Sequence, residues 1–378
     1  MKLLIVTTEP EKSGGVANYY KTLQGKFSFE TEYFIQGSRT DRDGVLNDIK
    51  RLIGDYKKFK NKITAENYDL ILLNPSMDFK SIVRDAKFIQ IAKKHSNGKL
   101  VLFWRGFLVD FFDDYVKKWF SKTFTRIFFK ADAHIVLASK FKHKLQSIGC
   151  KAPIYCETTI VGHKLLRAEP KNFPGDRYNI LFLARIVKTK GIYEAIETFR
   201  IVRKKFPAAT LSVAGNGFEL DNVKKYLDSN KVEGIIFLGD VGGAEKIKAL
   251  ENADVYLFPS YFEGMPNSVL EAMGMGLPVV TTNVGGLEDF FISGKMGFIT
   301  DSFEPEILAG FIDTVFSDIE LQKQISKTNA GYAASNFSLN IVVKRLEKIL
   351  SEINTFHTDQ HKSAFKTYKK TTTAKSTG

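Results

Sequence analysis

Short apolar runs recur along the whole chain and alternate with longer amphipathic stretches. The first half contains KLLIVTT, TEYFIQ, DLILLN, KLVLFW and AHIVLAS, and the second half contains NILFLAR, TLSVAG, GIIFLG, DVYLFPS, LPVVTTN and MGFIT. These runs are rich in Val, Ile, Leu and Phe without strict alternation, which is typical of parallel strands covered on both faces. Intervening stretches such as residues 193–206 have apolar residues at helical spacing. The pattern predicts an α/β protein made of repeated strand and helix units.

The same rhythm occupies both halves of the chain, and a polar stretch separates them. A length of 378 residues exceeds what one hydrophobic core usually supports. We expect a Rossmann-like domain over residues 1–166, a linker with proline and glycine breakers over 167–178, and a second Rossmann-like domain over 179–356. The last helix is expected to be able to cross back to the first domain. The Lys-, Thr- and Ser-rich tail, residues 357–378, is predicted to be disordered.

The composition narrows the class of protein. Hydrophobic residues make up 44% of the chain and charged residues 26%, and no run of about 18 apolar residues offers a membrane span. The opening MKLLIVTTEP is too short an apolar run for a signal peptide and is interpreted as a first buried strand. These features predict a soluble protein of the cytoplasm.

Positive charge is concentrated in the first half of the chain. Residues 1–165 contain 29 Lys and Arg against 17 Asp and Glu, a net charge of +12. Residues 166–356 contain 21 against 24, a net charge of −3, and the tail has a net charge of +4. Clustered positive charge attracts polyanions over about a Debye length. The first half is therefore expected to meet an anionic partner: a membrane surface, a phospholipid-linked acceptor or nucleic acid.

Two carboxylates flank the start of a predicted helix after the run DVYLFPS. Glu263 lies in the loop beyond this strand, where a parallel sheet opens into its ligand crevice, and Glu271 lies about one turn inside the helix. The residues between them that form the turn and the helix start are Gly264, Met265, Pro266, Asn267 and Ser268. Asn267 or Ser268 is predicted to cap the helix, whose free N–H groups suit a diphosphate. Glu271 is then expected to accept hydrogen bonds from a ribose diol, and Glu263 to meet the sugar.

This stretch resembles the signature of the family-4 glycosyltransferases, which are retaining enzymes of the GT-B fold. Glu263 and Glu271 are separated by seven residues and followed by GMGLPVV, as in the Glu-x7-Glu pattern of that family. The resemblance implies a cleft between two Rossmann-like domains, with the donor sugar nucleotide held by the second domain and the acceptor by the first. It also implies that Arg185 and Lys190, in LFLARIVKTKG, neutralise the donor diphosphate. Closure of the domains is expected to bring an acceptor hydroxyl to the anomeric carbon.

Glycine-rich positions after predicted strands extend the resemblance. Small residues there let the backbone approach a diphosphate or a sugar. Gly285 and Gly286 follow one strand, and the other positions that the resemblance assigns to donor binding are Gly14, Gly15, Gly215, Asn216, Gly217, Gly239 and Asp240. Gly239 and Asp240 are expected at the nucleobase edge.

Two positions depart from the family pattern. Related enzymes commonly have a His-Gly pair where this chain has Arg105 and Gly106 in LVLFWRGF. An arginine cannot act as a general base at neutral pH, so we expect Arg105 to bind an anionic acceptor or a donor phosphate at the reaction centre. The stretch Leu287, Glu288, Asp289 stands where a Pro-Glu pair is more usual, although an acid is retained.

Metal ions and cofactors are not expected to take part in the transfer reaction. Asp41 and Asp43 form an Asp-x-Asp sequence, but it lies in the polar stretch GSRTDRDG and not after an apolar strand. We interpret it as a solvated loop. With Arg185 and Lys190 to balance the diphosphate charge, the donor needs no divalent cation.

Aromatic and basic residues interleave between residues 111 and 132. Phe112, Tyr115, Trp119 and Phe120 can form one apolar stripe of a helix beside Lys and Arg residues. This pattern is typical of a helix that lies in a membrane interface, and it is also compatible with a helix packed into the core. Either arrangement leaves an acceptor groove plausible here.

The sequence thus favours a retaining hexosyl- or N-acetylhexosaminyltransferase that uses a UDP- or GDP-sugar and a saccharide or lipid-linked acceptor. We expect it at the inner face of the membrane, in synthesis of a surface polysaccharide or glycolipid. Three alternatives stay open: an epimerase or phosphorylase of the same fold, a basic nucleic-acid-binding protein, and a membrane partner that has lost catalysis. The charge alone supports nucleic acid, and no recognisable reading module accompanies it.

Overall fold

The computed structural model describes residues 1–9, 15–37 and 45–355. Its strands are short and apolar, as the pattern predicts. They are β1 (Lys2–Thr7), β2 (Glu30–Ile35), β3 (Leu70–Leu73), β4 (Ser76–Met77), β5 (Lys99–Phe103), β6 (Gly106–Phe107), β7 (Ala133–Val136), β8 (Ile154–Cys156), β9 (Asn179–Leu183), β10 (Thr210–Ala214), β11 (Ile235–Gly239), β12 (Val255–Phe258), β13 (Val279–Thr282) and β14 (Gly297–Thr300).

Helices connect the strands. They are α1 (Gly15–Leu23), α2 (Val45–Ala65), α3 (Phe79–His95), α4 (Val109–Phe111), α5 (Ser121–Phe128), α6 (Ser139–Ser147), α7 (Ile192–Lys205), α8 (Leu220–Ser229), α9 (Gly243–Asn252), α10 (Asn267–Gly274), α11 (Pro305–Ser317), α12 (Ile319–Phe337) and α13 (Leu339–Thr355). A π-helical segment, Phe112–Phe120, joins α4 to α5, and short 3-10 turns cover His163–Leu165, Lys188–Lys190 and Leu287–Asp289.

The chain divides into two compact units. Of the described residues, the first unit comprises those within 1–136, 141–157 and 343–355, and the second comprises 137–140 and 158–342. The division after residue 157 comes earlier than the predicted boundary at 166, and the expected linker lies inside the second unit. Most of α13 belongs to the first unit, where the Lys99 ammonium donates hydrogen bonds to the carbonyl oxygens of Ile353 (2.6 Å) and Asn354 (2.8 Å).

Each unit contains a six-stranded parallel sheet, but the strand orders differ. The first unit has the order β2-β1-β3-β5-β7-β8, and the second has β11-β10-β9-β12-β13-β14. The order in the second unit is that of a dinucleotide-binding fold, which reverses between its first and fourth strands. The order in the first unit reverses between its first and third strands, β1 and β3. The short strands β4 and β6 pair separately in the first unit.

Burial on both faces explains why the strands are continuously apolar. In β9, Ile180 and Phe182 pack into one core cluster and Leu181 packs into the cluster on the other face. All eleven predicted runs are strands, so the α/β prediction is confirmed. The strands that the pattern missed are β4, β6 and β8, because two or three residues carry too little apolar periodicity to be recognised.

The predicted aromatic stripe is divided between core and surface. Phe112, Val116, Phe124 and Phe128 are buried. Tyr115, Trp119 and Phe120 are 53%, 78% and 52% exposed. The segment winds as a π-helix before α5, and the wider turn changes which residues share a face. The expectation of one continuous stripe was therefore wrong, because the segment is not a regular α-helix.

Candidate functional site

The carboxyl edge of the second sheet holds three of the predicted site residues. β9 and β12 are neighbours at the point where the strand order reverses. In an open α/β sheet, ligands bind in the crevice beyond the strand ends at such a point. Arg185 and Lys190 follow β9, and Glu263 follows β12. Two separate sequence signals thus converge at one place in the fold.

Lys190 and Glu263 form an ion pair. The Lys190 ammonium donates to Glu263 Oε1, and the two side chains are only 16% and 15% exposed. The Ser260 hydroxyl, fully buried at the base of the loop, also donates to Glu263 Oε1 at 3.2 Å. The Lys190 ammonium reaches the Phe262 carbonyl oxygen at 3.4 Å as well. The carboxylate and the ammonium are therefore held in fixed positions beside the crevice.

Glu271 has a lysine partner that the sequence analysis missed. The Lys246 ammonium, on α9, donates to Glu271 Oε1 at 2.7 Å, with the side chains 25% and 16% exposed. A lysine one turn into the helix after the run GIIFLG was the available signal. This signal is weak evidence for a site residue, because isolated lysines on helices usually face water. The second glutamate of the motif is thus paired in the same way as the first.

The start of α10 differs from the prediction. Asn267 and Ser268 were expected to cap this helix, but Pro266 occupies the capping position, and no side chain of the cap accepts a hydrogen bond. Proline has a fixed φ that suits the entry to a helix, so it takes the position that a polar side chain was expected to fill. The prediction of a side-chain cap was therefore wrong. The first-turn N–H groups are left without a side-chain acceptor from the cap.

Tyr256 lies beneath this helix start and stays neutral. It is fully buried, and burial raises the pKa of its hydroxyl well above the usual value, with the charges of Glu271 and Glu263 acting in the same direction. Its hydroxyl donates to the Leu183 carbonyl oxygen at 3.0 Å. This hydrogen bond ties β12 to the end of β9, immediately before Arg185 and its loop.

Arg185 is exposed at the carboxyl end of β9, where Gly215 determines the path of the neighbouring chain. A Cβ on Gly215 would stand 1.9 Å from the Ala184 carbonyl oxygen and 3.7 Å from the Arg185 nitrogen, and its φ is +138°. Only glycine fits there. The main-chain carbonyl oxygen of Asn216 accepts a hydrogen bond from the Ile186 nitrogen at 2.9 Å. Gly215, Asn216 and Gly217 therefore hold the Arg185 loop, which is a structural role.

The loop that carries Glu263 is held in a similar way by Gly285 and Gly286. A Cβ on Gly285 would stand 2.4 Å from the Gly264 carbonyl oxygen, and a Cβ on Gly286 would stand 2.3 Å from the end of the Met265 side chain. The Gly286 nitrogen donates to the Gly264 carbonyl oxygen at 3.0 Å. These glycines let two loops of the site touch, and their contact with a donor stays a prediction.

The remaining predicted positions of the second unit lie around this centre. Gly239 and Asp240 are exposed at the end of the edge strand β11. Asp289, the acid in place of the usual Pro-Glu pair, accepts hydrogen bonds from the nitrogen (2.7 Å) and the hydroxyl of Ser139. Glu288 pairs with Lys140 at 3.6 Å. Glu288 and Asp289 therefore have structural partners.

Arg105 belongs to the first unit and follows β5. Its guanidinium lies over the ring of Tyr19 at 3.8 Å and near that of Phe103 at 4.6 Å. Its Nε and Nη1 atoms are buried and have no hydrogen-bond acceptor in the part of the chain that the structure describes. Gly15 is the exposed first residue of α1, the helix that carries Tyr19.

Several predictions lie outside the described residues. These concern Gly14, Asp41, Asp43 and the tail from 357 to 378. Within residues 1–9, 15–37 and 45–355, no group of three or more His, Cys, Asp or Glu side chains is arranged to hold a metal ion. No helix in those same ranges is both long enough and apolar enough to traverse a bilayer.

Comparison with known proteins gives a match within the second unit. Residues 166–331 match the family model described as Glycosyl transferases group 1. This stretch is therefore similar to the group 1 glycosyltransferases. The match covers β9 to β14 with both ion pairs, and the narrower assignment to family 4 stays a prediction.

Relatives and solved structures agree with this assignment. The capsular polysaccharide biosynthesis glycosyltransferase CapM of Staphylococcus aureus is 29% identical over 223 residues, which cover 58% of this chain and 57% of CapM. The chain thus aligns with little more than half of that relative. A sucrose-phosphate synthase from Thermosynechococcus elongatus superposes with a TM-score of 0.74 at 16% identity, covering 93% of this chain and 98% of that one.

A third comparison concerns a structure with a bound sugar nucleotide. Anabaena HepE in complex with UDP-glucose superposes with a TM-score of 0.68 at 19% identity and covers 93% of this chain and all of that one. Likenesses at this identity establish the fold. Together with the two parallel sheets, they confirm the predicted GT-B architecture of two Rossmann-like units.

Proposed function

We propose that this protein is a retaining glycosyltransferase that moves a sugar, a hexose or an N-acetylhexosamine, from a UDP- or GDP-sugar to a hydroxyl of a saccharide or lipid-linked acceptor. The observation that best supports the proposal is the presence of two ion pairs at the carboxyl edge of the second sheet. Lys190 with Glu263 and Lys246 with Glu271 place two cations and two carboxylates inside the stretch that is similar to the group 1 glycosyltransferases. A sugar nucleotide needs both kinds of group, since its diphosphate is anionic and its sugars present hydroxyls.

Each residue has a distinct role in the proposed donor site. Arg185 and Lys190 neutralise the diphosphate, and Glu263 accepts hydrogen bonds from the transferred sugar. Glu271 accepts hydrogen bonds from the ribose diol, and Gly239 with Asp240 borders the base. The free N–H groups at the start of α10 complement the diphosphate charge.

The proposed reaction breaks the bond between the anomeric carbon and the diphosphate oxygen. The acceptor hydroxyl forms the new bond from the same face, and its proton passes to the departing phosphate oxygen. The configuration is thereby retained without a protein nucleophile. Cations held beside the diphosphate stabilise the charge that develops on it as the bond breaks, which lowers the barrier. No metal ion or organic cofactor takes part in this proposal.

The first unit is proposed to bind the acceptor at an anionic membrane. Tyr115, Trp119 and Phe120 are exposed beside Lys117 and Lys122, in the half of the chain with net charge +12. Aromatic rings and lysines together favour the interface of an anionic bilayer. The proposed location is the inner face of the cytoplasmic membrane, in surface polysaccharide or glycolipid synthesis. The similarity to CapM, a capsular polysaccharide biosynthesis glycosyltransferase, supports this setting.

Vesicle sedimentation tests the membrane surface. We expect binding to vesicles of phosphatidylglycerol, weak binding to phosphatidylcholine, and a loss of at least about tenfold in the Trp119→Ser/Phe120→Ser variant. Phe218→Ser is the matched control, since Phe218 is 81% exposed on the second unit. Equal binding by the double variant and the control would exclude this surface as the docking site.

The donor site is tested by removing one acid or one cation. Glu271→Ala and Arg185→Ala are each expected to lower sugar transfer by at least about 100-fold while the protein stays folded. Glu306→Ala, an exposed glutamate on α11, is the matched control and keeps full activity. Full transfer by either site variant would refute the proposal.

Two further measurements identify the donor and the type of reaction. A thermal-shift screen of UDP, GDP and ADP sugars identifies the nucleotide, because a ligand that binds only the folded state raises its apparent stability. Product analysis with a radiolabelled donor, with and without acceptor, then separates transfer from epimerisation or phosphorolysis. Salt-sensitive binding of DNA or RNA without affinity for any sugar nucleotide would instead favour the nucleic-acid alternative.

A further inference from the structure

The Arg105 guanidinium in the first unit has no counter-ion among the residues that the structure describes. Within the same residues, two of its three nitrogens, Nε and Nη1, are buried without a hydrogen-bond acceptor, although the side chain as a whole is partly exposed. Tyr19 and Phe103 cover it with their rings. Cation–π contacts recover only part of the lost hydration of a guanidinium. The unpaired N–H groups of Arg105 therefore favour binding of an anion.

The protein groups described around Arg105 do not supply an anion to it. Burial raises the pKa of the Tyr19 hydroxyl, so Tyr19 is neutral. Glu157 is the carboxylate whose charge acts on Tyr19, and the guanidinium of Arg345 holds it through a bond of 2.6 Å. Asn74 is neutral and accepts the hydrogen bond of Tyr20 at 2.6 Å.

Neutral polar atoms without partners lie along the same edge of the sheet. Thr7 is the last residue of β1, and Gln36 follows β2. The Thr7 hydroxyl and the Gln36 side-chain oxygen are buried and have no hydrogen-bond partner within residues 1–9, 15–37 and 45–355. The strand order β2-β1-β3-β5 places three strand spacings, about 14 Å, between the ends of β2 and β5. The order reverses between β1 and β3, which is where a ligand crevice is expected. A ligand of two sugar rings has the length to span these positions.

We propose that Arg105 binds a carboxylate or phosphate group of the acceptor, and that Thr7 and Gln36 bind its hydroxyls. The proposed acceptor is therefore an anionic saccharide, either an acidic sugar or a sugar phosphate. This inference rests on the proposed transferase function. It selects the acceptor and not the donor as the source of the anion, since the second unit has its own cations, Arg185 and Lys190, for the donor diphosphate.

Arginine at this position suits an anion that has to be recognised at any pH. Its charge is permanent and its planar edge pairs with two oxygens at once, whereas a histidine loses its charge near pH 6.5. Arg105 stands where the resembled family commonly has a histidine, so the side chain at this position has a different chemistry. The arginine removes a titrating group and supplies a fixed recognition element for an oxyanion.

Paired acceptor analogues test the proposal on the full chain. Binding of methyl glucuronide, glucose 6-phosphate and neutral methyl glucoside is measured by saturation-transfer NMR with UDP present. We expect the wild type to prefer one anionic analogue over the neutral one by about tenfold or more, and Arg105→Gln to lose that preference. The two anionic analogues distinguish a carboxylate from a phosphate as the recognised group.

Two further variants separate recognition from folding. Arg105→Lys keeps the charge and is expected to retain part of the preference, and in Arg105→His the preference falls between pH 6 and 8 while the wild type stays constant. Lys94→Gln, which removes an exposed positive charge from α3, is the control and leaves the preference unchanged. Thermal denaturation confirms that each variant is folded.

The outcomes separate this inference from the proposed function. UDP affinity unchanged in Arg105→Gln, with the anion preference lost, supports an acceptor site. Loss of UDP affinity in that variant would assign Arg105 to the donor and overturn the inference. Equal binding of neutral and anionic analogues by the wild type would overturn it as well. Absence of any affinity for a sugar nucleotide refutes the transferase proposal instead.

Discussion

Both six-stranded sheets end in polar side chains at their carboxyl edge, and the cations there have different partners in the two units. In the second unit, Lys190 and Lys246 each contact a carboxylate, Glu263 or Glu271. In the first unit, Arg105 contacts aromatic rings, and its Nε and Nη1 atoms have no acceptor among the described residues. The same type of fold thus presents two paired lysines at the edge of one sheet and a guanidinium stacked on aromatic rings at the edge of the other.

The difference shows how each edge can receive a ligand. A preformed ion pair has already lost part of its water and is held in position, so a donor exchanges partners with it at little cost in reorganisation. An unpaired guanidinium raises the free energy of the folded protein until an anion arrives. Charge pairing therefore predicts that removing the charge stabilises the folded protein at Arg105 and destabilises it at Glu271. Variants in both units test this comparison.

The largest expected effect concerns the Lys190 pair. Lys190→Met is expected to lower kcat/KM about 1000-fold, or about 4 kcal/mol, because the leaving diphosphate loses its cation and Glu263 loses its partner. In steady-state kinetics, Lys188→Met is the matched control, since Lys188 lies on the same short turn and is 72% exposed. A loss below tenfold in Lys190→Met would show that the pair is only structural.

The next effect concerns a buried histidine of the first unit. His134 is fully buried beneath Trp104, whose ring nitrogen donates to His134 Nδ1 at 3.1 Å, and burial lowers its pKa from 6.5 to about 4. The unfolded state therefore binds more protons between these values. Stability from this group is complete above about pH 6.5 and is lost as pH falls toward 4, by about 3 kcal/mol in total.

Urea unfolding between pH 4 and 7.5, followed by tryptophan fluorescence, measures this dependence. Trp104 and Trp119 are the two tryptophans of the chain, and both belong to the first unit, so the signal reports that unit. His134→Gln is expected to remove most of the slope. An identical slope in the wild type and the variant would assign the acid sensitivity to carboxylates instead.

The smallest effect compares the two edges by stability alone. Arg105→Met is expected to raise the free energy of unfolding by about 1 kcal/mol, since it removes an uncompensated charge and keeps an apolar contact with Tyr19. Glu271→Gln is expected to lower it by about 1 kcal/mol, since Lys246 loses its partner. Both are measured by urea unfolding at pH 7.5. Destabilisation by Arg105→Met would show that the aromatic rings already stabilise the guanidinium.

Much of the fold could be predicted from local sequence. Strands such as β1 and β9 are buried on both faces, so their apolar runs stand out, and helix α7 has the expected periodicity over Ile192–Lys205. The donor-site residues were predictable because they follow such strands at short spacing. The strand β8 and the π-helical turn at Phe112–Phe120 were missed, since three residues or a change of helical pitch leave no clear periodic signal.

By itself, the sequence determined the α/β architecture and the residues of the candidate donor site in the second unit. It did so because apolar periodicity and the spacing of Glu263 and Glu271 are local properties. The tertiary structure decided which charges are paired. Lys246 pairs with Glu271 across 25 residues, and Arg345 pairs with Glu157 across 188. The Arg105 Nε and Nη1 atoms have no acceptor among the described residues. Such pairing depends on which strand ends become neighbours. No local pattern in the sequence records it.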